Sequence, residues 1–124
     1  MKKTMQKALR PLSSVKLNPP PNVRLRTVER MERLVKEVLN GSDLNARYLF
    51  VLDYLSAVVS FHNAEDQKMK SEFSIQIGKN EDKGHRLHGF NKEELVSLNF
   101  LVLRAKVNGQ LSVLDNRIEQ KKRH

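Results

Sequence analysis

The chain has no cysteine and no tryptophan, and its 124 residues include only five glycines and four prolines. Without cysteine there is no disulfide staple, no thiolate zinc site and no thiol nucleophile. Stability has to come from an apolar core. One domain of this length can build such a core, burying roughly two-thirds of the surface it exposes when unfolded. Long hydrophobic runs are also missing. The most apolar stretch, Tyr48 to Phe61, is interrupted by Asp53, Ser56 and Ser60 and falls short of the ~20 residues a membrane span needs. The lysines near Met1 are followed by no apolar segment of the kind a secretion signal carries. These absences point to a chain without a membrane partner, in the cytoplasm or associated with a nucleoid or virion.

Acidic residues are absent from positions 1–26, which hold Lys2, Lys3, Lys7, Arg10, Lys16, Arg24 and Arg26. The end of the chain adds Lys121, Lys122 and Arg123, whereas residues 27–120 balance 13 basic against 14 acidic side chains. The net charge of +9 therefore belongs to the two ends, and the body between them is close to neutral. Pro11, Pro19, Pro20 and Pro21 all fall within residues 1–22, where they disfavour helix and sheet. Residues 1–22 thus read as a flexible basic arm, ending in a stiff polyproline spacer before Asn22. Residues 23–120 read as one helical domain and 121–124 as a basic tail.

Within the domain, Leu25, Val28, Met31, Val35 and Val38 recur at spacings of three and four, predicting an amphipathic helix from Val23 to Asn40. Its opposite side lines up Arg26, Arg30 and Arg33. Ser42-Asp43 predicts the cap of a second helix, Leu44 to Asn63, apolar around most of its circumference and therefore central to the fold. The strict alternation of Phe73, Ile75 and Ile77 has the period of a half-buried strand and predicts a short β-hairpin over about 72–90. Asn91 with Glu94 has the form of a capping box. The apolar seam that follows keeps its phase across Asn108-Gly109, which predicts one continuous helix to Gln120. The expected fold is mainly α: a small three-helix bundle-like domain with a hairpin insertion and a basic N-terminal arm.

The sequence contains no nucleophile elbow, no HExxH and no phosphate-cradling glycine loop, so no catalytic residue is assigned and the chain reads as a non-enzyme. His62, His85, His88 and His124 do not form the two closely spaced ligand pairs of a structural metal site, and no metal or cofactor is expected. A helix-turn-helix around Gly41 fails because its second helix, the one that has to offer polar side chains to base edges, is the most apolar segment of the chain. The feature that carries function is the charge asymmetry. Lysines and arginines without acidic neighbours bind phosphate by releasing condensed counterions. Lys2, Lys3, Lys7, Arg10, Lys16, Arg24, Arg26, Arg30, Arg33, Lys121, Lys122 and Arg123 are the candidate contacts to DNA or RNA, led by phosphate and weakly selective for sequence. The alternative is a protein-interaction module, an adaptor, inhibitor or assembly subunit. It would join a partner or a second copy through the seam Leu103, Val107, Leu111, Leu114 and Ile118.

Overall fold

The computed structural model describes residues 17–123 and is all-helical over that range. Five helices follow one another: α1 (Leu25–Asn40), α2 (Ala46–Asn63), α3 (Gln67–His88), α4 (Lys92–Val107) and α5 (Leu111–Lys122). None is long and apolar enough to cross a membrane. α2 runs through the middle and buries residues on every side, from Phe50, Val51 and Leu52 through Tyr54 and Leu55 to Val58 and Val59. The other four helices surround it, with α3 most extensively packed against α2 and α1 packed chiefly on α4. A helix apolar around its whole circumference is stable only in that position.

Three of the helix starts are capped by a side chain. Asn45, rather than Ser42 or Asp43, caps α2 by accepting from the Tyr48 amide at 2.9 Å, and Asp43 in turn accepts from Asn45 Nδ2. Asp66 caps α3 through the Met69 amide at 2.8 Å. The expected capping box opens α4. Asn91 Oδ1 accepts from the Glu94 amide at 2.8 Å, and Glu94 Oε1 accepts from the Asn91 amide at 2.9 Å. Ahead of α1, the proline run ends in a turn instead of a straight spacer. The Val23 amide closes on the Pro20 carbonyl at 3.2 Å, with Pro21 and left-handed Asn22 between them. That is the arrangement of a type II turn, in which proline presets the first central residue and asparagine tolerates positive φ at the second.

Two expectations are corrected. The segment 72–90 is not a hairpin but the bulk of α3. Phe73 and Ile77 are four apart and share its inner side, and Ile75, the residue that completed the alternation, is 61% exposed. Further along, the inner positions are Asn80, Glu81, Gly84 and His88, all buried or half-buried, so the apolar helical period stops halfway and only the alternation is visible.

The second correction concerns the C-terminal helix, which is two helices. Asn108-Gly109 ends α4 in a Schellman closure: the Gln110 amide donates to the Ala105 carbonyl at 2.7 Å and the Gly109 amide to Lys106 at 3.1 Å. Gly109 takes the left-handed φ of 71° that the closure requires. α5 then folds back across α2, with Ile118 fully buried and Leu111 and Leu114 packed against the core.

The core is mainly apolar, and the polar groups buried with it include Thr27, Ser97 and the Tyr54 phenol. Tyr54 is buried, and its hydroxyl donates to Glu81 Oε2 at 2.8 Å with the Leu95 carbonyl 3.2 Å away. Burial, reinforced by the nearby Glu81 carboxylate, raises the pKa of this phenol. The bond ties α2 to α3, and the neighbouring carbonyl belongs to α4.

Candidate nucleic-acid interface

α1 is the element that connects the two basic ends. Thr27, Val28, Met31 and Val38 face inward, which turns Arg26 and Arg33 outward as exposed side chains. Among the described residues neither makes an ion pair. Arg24 and Arg30 are occupied within the fold. Arg24 grips Glu93 with both Nε and Nη2, at 3.0 and 2.8 Å, and adds its backbone amide at 2.8 Å. Arg30 Nη2 reaches Glu94 at 3.0 Å. Both carboxylates lie in the first turn of α4, where the helix dipole also favours negative charge.

The bidentate Arg24 guanidinium and the Arg24 amide hold the Glu93 carboxyl at a pKa of about 2, well below the usual carboxylate range. The sign of the consequence is definite. As pH falls, unfolded chains take up a proton on Glu93 before folded ones do. The contribution of this pair is complete above about pH 4.5 and is lost as pH falls towards 2. Glu93→Gln should therefore lower the midpoint of thermal unfolding at pH 7, and the gap to wild type should be much narrower at pH 2.5. A gap that is the same at both pH values would contradict the assignment.

At the far end of α1, Arg117 donates to Asn40 Oδ1 and Lys121 to the Gly41 carbonyl, so α5 brings cations to the negative end of the α1 dipole. Lys122 lies 3.8 Å from exposed Asp53, and Arg123 is exposed just past α5. Lys121 and Lys122 are thus the last residues of a packed helix instead of a tail. Lys2, Lys3, Lys7, Arg10 and Lys16 lie outside the described residues, as does His124. Arg24, Arg26, Arg30, Arg33 and Lys36 lie on or just before α1, interspersed with Glu29, Glu32 and Glu37, and Arg117 and Lys121 reach its far end. A helix of this length extends about 24 Å.

The seam Leu103, Val107, Leu111, Leu114 and Ile118 is not presented as one face. Ile118 is fully buried, Leu103, Leu111 and Leu114 are half-buried, and Val107 is exposed beside the break. The remaining histidines have local roles. His85 Nδ1 lies 3.0 Å from the Phe90 carbonyl and the His88 ring stacks on Phe50. The His62 pKa is lowered by burial, with Lys106 and Lys70 nearby. Among the described residues no three His, Asp or Glu side chains gather as metal ligands.

Sequence reasoning anticipated the Glu32–Lys36 pair on α1 but missed two cations, Arg47 and Arg104. Arg47 lies 4.1 Å over the Phe90 ring and donates to the His88 carbonyl at 2.6 Å, fastening the end of α3 to α2. Arg104 of α4 meets Glu32 of α1 at 3.0 Å, and Lys36 reaches the same carboxylate at 4.0 Å. Arg47 and Arg104 find their partners on other helices, far away in sequence, so no local pattern marks them. Comparisons with models of protein families, with curated proteins and with solved structures yield no match, so the chain's own residues carry the functional argument.

Proposed function

We propose that this chain is a non-enzymatic, nucleic-acid-associated accessory protein, regulatory or architectural, that engages the phosphate backbone. The observation that carries the reading is the charge distribution. Five cations and no carboxylate lie in residues 1–16, eight residues ahead of a helix that exposes Arg26 and Arg33, without an ion pair among the described residues, alongside Glu29 and Glu37. Phosphate contacts of this kind give affinity and register but little sequence discrimination. The central position of α2 agrees with this, because the most apolar helix is unavailable for reading base edges.

The length of α1 sets a scale. Its extent of about 24 Å corresponds to roughly seven base pairs of duplex along one strand. Arg24 and Arg30 are offset by Glu93 and Glu94 and contribute little net charge to the interface while they stay paired. Arg26 and Arg33 make no ion pair among the described residues, the N-terminal cations have no carboxylate anywhere in residues 1–26, and these are the direct contacts.

Fluorescent duplex DNA and single-stranded RNA titrated with the full chain at low ionic strength test the reading. Binding is expected for at least one ligand, with unlabelled competitor of unrelated sequence displacing it as well as the same sequence does. Failure of both ligands to bind at low salt would overturn it, and strong sequence preference would overturn the phosphate-led part.

A further inference from the structure

We propose that the groove between α1, α4 and α5 docks an acidic amphipathic helix of a partner protein. This surface is separate from the N-terminal cations, and the inference does not rest on the nucleic-acid reading. Breaking the C-terminal segment at Gly109 lays α5 across α2 but leaves a trough of about 300 Å³ open between α5 and α1. Its floor is apolar, formed by side chains such as Val35, Leu39, Leu101 and Leu114, and Val113 forms a lip that is 51% exposed. An open apolar trough along helices suits a second helix, which repeats apolar side chains every three to four residues.

The rim selects the sign of the occupant's charge. Lys36, Arg104 and Arg117 line the groove, and Glu32 is the single carboxylate among the lining residues. Arg104 at 3.0 Å and Lys36 at 4.0 Å already answer Glu32, so the rim retains positive charge. That charge disfavours the chain's own residues 1–16, which carry five cations and no acid. It favours carboxylates flanking an apolar stripe.

The probe is a synthetic peptide of about five helical turns, with leucines along one face and glutamates beside them. Two controls accompany it: the same composition reordered to remove the apolar face, and a version with lysine in place of each glutamate. Methyl spectra of the full chain report where each peptide lands. The amphipathic acidic peptide should shift the Val35, Leu101, Val113 and Leu114 methyls saturably and bind at least about tenfold more tightly than either control. Val113→Asp and Lys36→Glu, both at exposed positions, should each weaken it by about tenfold or more, whereas Arg26→Glu, outside the groove, should not. Equal binding of the reordered peptide, no shift at the groove methyls, or unchanged binding to Val113→Asp would overturn the proposal.

Discussion

Gly84→Val is expected to cost about 3 kcal/mol of folding stability, at the upper end of the range for overpacking a core. Gly84 is buried in α3 against Phe50. A Cβ there would lie 2.8 Å from Phe50 Cε2 and 3.1 Å from Cε1, and closer still to Cζ. The ring has nowhere to go. Its centroid is 5.9 Å from that of Tyr54, 5.1 Å from His88 and 5.4 Å from Phe90, so a shift disturbs three further rings. Gly84→Ala should cost less, because alanine recovers up to about 1 kcal/mol of helix propensity.

The internal control is Gly78 on the same helix, where a Cβ meets nothing within 4 Å. Gly78→Ala should stabilise by roughly 0.5–1 kcal/mol. Urea unfolding of the three variants checks these signs. A smaller, aliphatic neighbour, Phe50→Leu, should also reduce the penalty of Gly84→Ala, as expected for residues in direct contact. Equal effects at Gly84 and Gly78 would show that the close approach to Phe50 does not govern the site.

The second large effect is expected at the N-terminus. Replacing Lys2, Lys3, Lys7, Arg10 and Lys16 by glutamine removes five positive charges at positions outside the five described helices. Melting behaviour should be unchanged. If all five neutralise phosphates, the slope of log affinity against log salt should fall by about 4.5 in magnitude. Between 50 and 200 mM salt, those five contacts account for roughly 10²–10³ in affinity. Arg26→Gln with Arg33→Gln removes two contacts and should lower the slope by about 2. Unchanged affinity in the five-fold variant would move the interface onto the helical body.

The sequence carried the fold where the hydrophobic period was intact and lost it where polar residues face inward. α1 and α2 were legible because Val28, Met31 and Val38, and nearly all of α2, are apolar where they are buried. The start of α4 was legible because a capping box is a local device within four residues. α3 was hidden because its inner side after Ile77 is built from Asn80, Glu81, Gly84 and His88. Glu81 there is a partner for the Tyr54 hydroxyl, and Gly84 makes room for Phe50, so neither announces itself as core. The break at Asn108-Gly109 was misread because Val107 and Leu111 are four apart, a spacing that a continuous helix and two helices share.

The candidate interface was legible as a charge excess but not as a geometry. Arg24 and Arg30 find Glu93 and Glu94 at sequence separations of 69 and 64, beyond the reach of any local pattern. These pairings separate the arginines that hold the fold from those turned to solvent. Lys36, Arg104 and Arg117 likewise come from three helices and meet only once α5 has folded back.

The salt dependence of duplex DNA binding by the intact chain tests the central claim most directly, measured by fluorescence anisotropy from about 50 to 200 mM salt. Five N-terminal cations together with Arg26 and Arg33 predict a slope near −6, at about 0.9 per neutralised phosphate. A slope close to zero, or no binding at the lowest salt, would contradict the account and leave the positive charge to a protein partner.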